Sequence, residues 1–184
     1  AMALFEDTEG RRDPSIRYFC GHPGDALLFI TASGQSLLVP WDVNMAAAMA
    51  SIEALVPYTD FKRSPFAAMA GALERLAIAA GSTVDLPSVT PYPMYIEYVE
   101  ACPDHDFRCS DEGSSMSAAM MRAVKDADEM ATYRQVCAIT DMAMDRIEAG
   151  VRSGSFATET DLALFIERFM REQGCEGTGF ETLA

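Results

Sequence analysis

Residues 120–154, MMRAVKDADEMATYRQVCAITDMAMDRIEAGVRSG, decide the architecture of the last third of the chain. Apolar residues recur there at steps of three and four, the spacing that places side chains on one face of an α-helix. The stripe consists of Met130, Tyr133, Cys137, Thr140, Met144, Ile147 and Val151. Asp126, Asp128 and Glu129 precede it, where the helix dipole favours negative charge. The pattern predicts a helix of about six turns that glycines at positions 150 and 154 interrupt.

A second helix and a strand are predicted after this helix. Thr158 and Asp161 have the spacing of a capping box, and Gly174 is a typical helix end. The apolar face comprises Leu162, Phe165, Ile166, Phe169 and Met170. Beyond a turn at 177–179, residues 180–183 alternate as a half-buried strand does. Because a lone strand is marginally stable, it must pair with an earlier segment, and we expect the 184 residues to be a piece of a longer protein.

Upstream of residue 111 the pattern alternates between strands and helices. SIRYFCG (15–21) is interpreted as the first strand, and ALLFI (26–30) and SLLVP (36–40) as a hairpin that turns at Gly34. Further strands are predicted in STVDLP and HDFRCS, and helices in DVNMAAAMASIEAL, SPFAAMAGALERLAIAAG and PYPMYIEYVEAC. The helix signals are a cap at Asp42 or Asn44, and Ser64 followed by proline. This alternation predicts an α/β domain with a parallel or mixed sheet.

Three regions follow from these patterns. We predict an α/β domain at 1–113, a helical connector at 114–125 and a helix–helix–strand segment at 126–184. The last region is too small to bury a core of its own.

Composition excludes several classes of function. The net charge of −14 comes from 14 basic and 28 acidic side chains, which argues against a nucleic-acid partner. No apolar run approaches the roughly 20 residues of a membrane-spanning helix, so no membrane partner is expected. The five cysteines, an odd number without a CxxC pair, are typical of reduced thiols, and a cytoplasmic protein is the simplest interpretation.

The residues offer no recognisable catalytic centre. There is no HExxH, GxSxG, GxGxxG or GxxxxGK[ST] motif, and neither His22 nor His105 has a second ligand at helical spacing. His22 lies in the predicted loop GHPGD, where an exposed residue without a function is the simpler interpretation. Trp41 follows a predicted strand, and the sequence leaves open whether it is exposed for stacking or buried at the sheet edge.

Several of these segments resemble the creatinase, prolidase and aminopeptidase P family of pita-bread metallopeptidases. The family run Arg-x-x-Lys-(Asp/Ser)-x-x-Glu is matched by Arg122, Lys125, Asp126 and Glu129. The family helix start is matched by Thr158, Glu159, Asp161 and Leu162, and the family strand by Gly179, Phe180, Thr182 and Leu183. SIRYFCGHPGDALLFI is similar to a segment of the family's N-terminal domain, so the likeness covers nearly the whole chain.

The resemblance implies a fold and an activity. It implies a ribonuclease H-like mixed sheet flanked by helices, followed by the helical start of a truncated pita-bread domain. Family members hold two divalent ions, manganese or similar, with two Asp, one His and two Glu, and a metal-bridged water attacks the Xaa-Pro amide. Those ligands would lie downstream of residue 184, so we expect no metal or cofactor bound by this chain.

The resemblance also implies partners. In relatives the N-terminal domain packs on a neighbouring subunit, and its loops narrow the substrate entrance. We therefore expect a homodimer whose full-length form takes a proline-containing peptide. His22 and Trp41 are candidates for the substrate entrance, and Phe180 for the pocket wall.

Two departures from the family and two alternative functions accompany this interpretation. The helix that usually precedes the first strand is shortened or missing, and the linker RSGSFATET is longer than the usual turn. The alternatives are a creatinase-like hydrolase of a non-peptide C–N bond, and a catalytically inactive pita-bread protein that binds other proteins.

Overall fold

The computed structural model describes residues 1–180 and Thr182, and divides into two compact units, Ala1–Val124 and Lys125–Ala184. The first unit contains one five-stranded sheet of order β3-β2-β1-β4-β5. The strands are β1 (Met2–Asp7), β2 (Ala26–Thr31), β3 (Ser36–Pro40), β4 (Thr83–Leu86) and β5 (Asp106–Cys109). Strand β2 is antiparallel to β1 and β3, whereas β4 is parallel to β1 and β5. The predicted mixed α/β sheet is confirmed.

The strand predicted at 15–21 is wrong, because these residues form helix α1, Pro14–Cys20. The carboxylate of Asp13 caps the helix by accepting a hydrogen bond from the backbone N–H of Ser15, and proline occupies the first turn. Gly21 ends it in the left-handed conformation, with φ of 77°. Local cap signals therefore outweigh the strand propensity of the Ile, Tyr and Phe side chains. The first strand is instead the nearly fully buried β1.

The remaining helices of the first unit begin close to where the sequence predicts. They are α2 (Val43–Met49), α3 (Pro65–Arg75), α4 (Tyr92–Ala101) and α5 (Ser114–Ala123). A further short 3-10 helix, Tyr58–Phe61, is not predicted by the sequence. Asp42 caps α2 and Ser64 caps α3, as predicted. Helix α3 ends earlier than its apolar pattern suggests, because Ala77 adopts a left-handed φ of 51°.

Helices cover both faces of the sheet, and each face carries a core. Alternating side chains of one strand point to opposite faces, so Leu27 and Phe29 lie in one core and Leu28 in the other. The first core is completed by α3 and α4, with Met69 and Tyr98 fully buried. The second is completed by residues of α1, α2 and α5, among them Ile16, Cys20, Ala46 and Ala118. Helix α5, predicted as a connector, thus packs within the first unit.

The second unit consists of two helices, α6 (Ala127–Ser153) and α7 (Glu159–Glu172). Among its described residues, the buried hydrophobic cluster consists of Ile139, Ala143 and Phe169. Several members of the predicted α6 stripe, including Tyr133, Met144 and Val151, are exposed. Of the strand predicted at 180–183, Phe180 and Thr182 lie in no strand, and Glu181 and Leu183 lie outside the described residues.

Candidate functional site

The residues around His22 and Trp41, the two candidates for the substrate entrance, lie at one end of the sheet in the first unit. Asp7 pairs with Ala26 across β1 and β2, and Ala26 pairs with Pro40 across β2 and β3. The residues that flank these positions, Asp25 and Trp41, are therefore neighbours. The backbone N–H of Trp41 donates to the carbonyl oxygen of Asp25 at 2.9 Å.

An arginine joins two carboxylates at this end. The guanidinium of Arg12 lies 3.2 Å from the Asp7 carboxylate and 2.5 Å from that of Asp25. Burial raises the pKa of Asp7, and the hydrogen bonds from Arg12 and from the backbone N–H of Asp13 only partly oppose this rise. The guanidinium of Arg12 is thus committed to two carboxylates of the same unit.

His22 lies in the interior of the first unit, so the expectation of an exposed loop residue is wrong. The residue is completely buried, and neither ring nitrogen has a hydrogen-bond partner among the described residues. Burial lowers the pKa of His22, and the backbone of Asp25 and the nearby carboxylates of Asp42, Asp7 and Asp25 oppose that shift. Gly24 permits the packing, because a Cβ there would lie 3.2 Å from the Met45 sulfur. The ring does not reach the surface of this unit, and a role at an entrance stays a prediction.

Trp41 is both stacked on a neighbouring ring and partly exposed to solvent, so neither of the two environments that the sequence leaves open applies alone. Its indole stacks on the ring of Tyr58 with centroids 3.9 Å apart and planes inclined by 21°. The residue nevertheless keeps 39% of its surface exposed, whereas Tyr58 is buried. Burial raises the pKa of the Tyr58 hydroxyl, and the charge of Glu6 adds to the rise. Trp41 thus presents an aromatic surface on a fixed support.

The stacked pair forms part of a surface cleft that the sequence does not predict. Trp41, Tyr58, Thr59 and Arg63 line this cleft, whose volume is about 480 Å³. We call these four residues the tryptophan cleft. Its far wall follows the 3-10 helix, where Lys62 and Arg63 adopt left-handed φ values of 54° and 57°. Two consecutive non-glycine residues rarely adopt the left-handed backbone conformation, and nothing in the segment YTDFKRSP predicts it here.

Phe180, the third candidate, belongs to the second unit. It is 79% exposed and lies at one end of a groove of about 730 Å³. The groove runs between α6 and the segment 173–180, with Val136, Ile139 and Ile147 among its apolar lining. The structure places Phe180 at the edge of an apolar surface, and nothing in the second unit assigns it a ligand.

The motif residues shared with the metallopeptidase family act here as helix caps and ties. Asp126 accepts hydrogen bonds from the backbone N–H groups of Asp128 and Glu129, and the Glu129 side chain accepts one from the backbone N–H of Asp126. Thr158 and Asp161 form the predicted capping box of α7. These polar groups are occupied in holding the helix ends, which explains their spacing without catalysis.

Neither a metal centre nor a membrane span is found in the part of the chain that the structure describes. No group of three or more His, Cys, Asp and Glu residues within 1–180 and 182 could hold a metal ion. The residues present therefore do not fit the dinuclear centre that the family resemblance implies. Among the described helices, none is both long and apolar enough to cross a membrane.

Proteins similar to this chain are found among solved structures, although comparison of sequences finds none. No family model matches the sequence, and no curated protein matches it significantly. The chain does align with the prolidase of Pyrococcus furiosus at 18% identity and a TM-score of 0.71, covering 99% of this chain and 51% of that one. The prolidases of Pyrococcus horikoshii OT3 (20% identity, TM-score 0.68, 99% and 47% covered) and Thermococcus sibiricus (15%, 0.65, 98% and 47%) align similarly. The fold is that of a prolidase.

The prolidase likeness spans about half the length of these relatives. It confirms the predicted resemblance and the predicted fold, a mixed sheet flanked by helices. At these identities a shared fold does not carry an activity with it, so the chemistry of a prolidase enters only as a proposal.

Proposed function

We propose that this chain is the N-terminal part of a proline-specific metallopeptidase, of the Xaa-Pro dipeptidase or aminopeptidase P kind. The observation that carries the proposal is the prolidase fold along 99% of the chain. The run at Arg122–Glu129 and the helix start at Thr158–Leu162 agree with the proposal, because both resemble motifs of this family. The parent protein would hydrolyse Xaa-Pro peptide bonds.

The hydrolytic chemistry belongs to another part of the parent protein. The family resemblance implies that the ligands of the two divalent ions, manganese or similar, lie downstream of residue 184. The part described here would act as scaffold, dimerisation surface and entrance wall. Its free thiols are compatible with a reducing cytoplasm.

The substrate entrance is the second element of the proposal. Trp41 offers an exposed aromatic face that is held in place by Tyr58, a property suited to limiting the size of an approaching peptide. His22 would act only by supporting the loop before β2, because its ring is buried. Phe180 has the exposure needed for a pocket wall formed with further residues.

Homodimerisation is the third element. Helix α5 exposes Met116, Met120 and Met121, and methionine-rich surfaces adapt readily to partners. Light scattering of the chain at micromolar concentration tests this element. A dimer is expected, and a monomer would contradict it.

The decisive experiment compares this chain with the same chain extended by the downstream sequence of its gene. With Mn²⁺ added, the extended protein should hydrolyse Gly-Pro and longer Xaa-Pro peptides, whereas the 184-residue chain should not. An extended protein that binds two metal ions yet cleaves no Xaa-Pro bond would overturn the proposal. Creatine hydrolysis would then favour the creatinase-like alternative, and loss of metal binding the protein-binding one.

The entrance role has its own variant. In the extended protein, Trp41→Ala should change the ratio of kcat/KM for a tripeptide to that for a dipeptide by several-fold. Val89→Ala, another exposed apolar residue of the first unit, is the matched control and should leave the ratio unchanged. If the unchanged extended protein, Trp41→Ala and Val89→Ala all have the same ratio, Trp41 does not contribute to the entrance.

A further inference from the structure

We propose that a cavity between helix α5 and strands β1 and β2 binds a small apolar carboxylate, that is, an alkyl chain that ends in one anionic carboxyl group. The cavity has a volume of about 460 Å³, within the range of roughly 300–1,000 Å³ that is typical of small-molecule sites. We call it the α5 cavity. All the residues that line it belong to the first unit, and the inference does not rest on the proposed function.

The walls of the α5 cavity are mainly apolar. Ala3, Phe19 and Ile30 line it, and these three residues pack against the second core but stay only partly buried. Phe5 and Ala118, which are buried members of the same core, line it as well. An apolar chain that enters the cavity therefore extends an existing core, and apolar surface of both the chain and the protein is removed from water.

The space exists because helix α5 carries small side chains on the face that lines the cavity. Ser114, Ser117 and Ala118 line it together with Met121, and their spacing of three and four positions places them on one face of the helix. Serine and alanine fill little of the distance between the helix and the sheet. A larger side chain at position 117 would accordingly occupy the cavity.

A fixed ion pair stands at the polar end of the α5 cavity. The Nε–H of Arg108 donates to one carboxylate oxygen of Asp85 at 3.1 Å, and the other oxygen accepts from the backbone N–H of Ser114. All three residues line the cavity. Burial alone would raise the pKa of Asp85, but the hydrogen bonds from Ser114 and Arg108 outweigh it and hold that pKa below its ordinary value. The pair thus stays charged at neutral pH, and β4, β5 and the start of α5 fix its position.

Arg108 has donors left for a ligand. Its side chain is 61% exposed, and Asp85 is its only ion-pair or hydrogen-bond partner among the residues that the structure describes. Arg12 of the same unit contacts two carboxylates at once, those of Asp7 and Asp25, so a guanidinium that is paired with one carboxylate can hold a second. The terminal nitrogens of Arg108 are therefore free to bind the carboxylate of a ligand whose chain lies in the cavity.

The charges around the cavity define the ligand further. Glu112 also lines it, but this side chain is exposed, so that water and salt screen its repulsion of an anion. An alkyl amine would be attracted to Glu112 instead, which makes the amine the natural competitor in an experiment. A second charge on the ligand would have to enter the apolar walls, where it would lose its hydration. The ligand class is accordingly a monocarboxylate with an uncharged chain.

The test titrates the 184-residue chain, labelled with ¹³C at its methionine methyl groups, with octanoate, octanol or octylamine below their micellar concentrations. Met121 lines the α5 cavity and Met144 lines the groove of the second unit, so the methyl signals show where each probe binds. Octanoate should shift the Met121 signal in a saturable manner and bind at least fivefold more tightly than octanol or octylamine. Each of three results would overturn the proposal: no saturable shift, a shift of Met144 instead of Met121, or binding of octanol or octylamine as tight as that of octanoate.

Chain length tests the apolar walls separately from the ion pair. Each methylene group that enters the cavity should tighten binding by up to about fourfold. Hexanoate should therefore bind several-fold more weakly than octanoate while shifting the same Met121 signal. Equal affinity of the two acids would show that the chain stays outside the cavity, and the proposal would fail.

Matched variants assign the carboxylate to Arg108. Arg108→Gln should weaken octanoate binding at least fivefold and leave octanol binding nearly unchanged. Arg75→Gln changes an exposed arginine at the end of α3, outside the cavity, and should bind like the unchanged chain. An equal loss in both variants would show a general charge effect and overturn the assignment. Far-UV circular dichroism checks the fold of each variant, and the comparison of octanoate with octanol in the unchanged chain decides the same point without a substitution.

A second pair of variants assigns the chain of the ligand to the cavity. Ser117→Leu should fill the space and weaken octanoate and octanol alike, at least fivefold. Ala119→Leu makes a similar change at an exposed position of α5 that does not line the cavity, and should leave binding unchanged. Unchanged binding in Ser117→Leu would overturn the proposal. These results can be read whether or not the extended protein is a peptidase.

Discussion

The guanidinium of Arg122 donates a hydrogen bond to the hydroxyl of Ser15 at 2.6 Å, across 107 positions of sequence. The same guanidinium lies 3.8 Å from the carboxylate of Asp13, the cap of α1. One residue of the family-like run thus ties the end of α5 to the start of α1, and both helices cover the same face of the sheet.

Replacement of Arg122 should therefore destabilise the first unit. We expect Arg122→Met to lower the free energy of unfolding by about 1–3 kcal/mol, because hydrogen bonds to a charged group are lost while Ser15 stays buried and Asp13 partly buried. Urea denaturation measures the change. Arg75→Met, at an exposed position on α3, is the control and should cost less than about 0.5 kcal/mol. Equal losses of stability in Arg122→Met and Arg75→Met would contradict the stabilising role of the Arg122 contacts.

Gly113 should not tolerate a side chain. A Cβ there would lie 2.5 Å and 2.8 Å from the two carboxylate oxygens of Asp85, which also accepts hydrogen bonds from Arg108 and from the backbone N–H of Ser114. We expect Gly113→Ala to cost about 1–3 kcal/mol by displacing that carboxylate. Gly10→Ala meets no atom within 4 Å and serves as the control in the same thermal or urea melts. Unchanged stability of Gly113→Ala would show that the Asp85 carboxylate can move freely.

His22 should make stability depend on pH between neutrality and mild acid. Its pKa is lowered from 6.5 by burial, so below 6.5 the unfolded chain binds a proton that the folded chain does not. Stability should accordingly fall as the pH drops through and below 6.5, by at most about 1.4 kcal/mol per pH unit for one proton. Urea denaturation at pH 7.5, 6.5 and 5.5 measures the slope, and His22→Gln, which cannot titrate, should flatten it. Parallel pH profiles for the two proteins would mean that other groups cause the dependence.

The start of α6 should depend on Asp126. Its carboxylate accepts hydrogen bonds from two backbone N–H groups, at 2.9 Å from Asp128 and 2.8 Å from Glu129. We expect Asp126→Ala to cost about 1 kcal/mol and to reduce the helical signal of the second unit. Asp128→Ala removes a negative charge from the same turn but leaves the cap in place. It therefore separates the loss of the capping hydrogen bonds from the loss of charge near the helix dipole. Circular dichroism on heating follows both variants, and an equal loss in both would point to the helix dipole alone.

The starts of helices α2, α3, α6 and α7 could largely be predicted because their capping signals are local. A cap such as Thr158 and its partner Asp161 are three positions apart, so that the chain contains the complete motif in one short run. The mistake at 15–21 shows the limit of this reasoning. The same kind of local signals, Asp13, proline and Gly21, surround that helix, but the apolar residues between them also suit a strand.

The candidate site could be predicted only in part. Trp41 was identifiable as an aromatic residue at a strand end, but its support, Tyr58, is 17 positions away in a segment without a motif. The left-handed backbone of Lys62 and Arg63 follows no glycine or asparagine signal. A Cβ at Gly24 would lie 3.2 Å from the Met45 sulfur and 3.5 Å from Nε2 of His22, and no periodicity in the sequence reveals this close packing.

Local patterns in the chain predict the α/β class of the first unit and the two capped helices of the second, because periodicity and capping act between residues a few positions apart. The likeness to prolidases comes instead from a resemblance between short motifs of this chain and those of the family. Three features follow only from the folded chain: residues 14–20 form a helix against the sheet, His22 is interior, and Trp41 shares a cleft with Arg63. The physical reason is that burial and ring stacking are set by which distant segments the sheet register brings together.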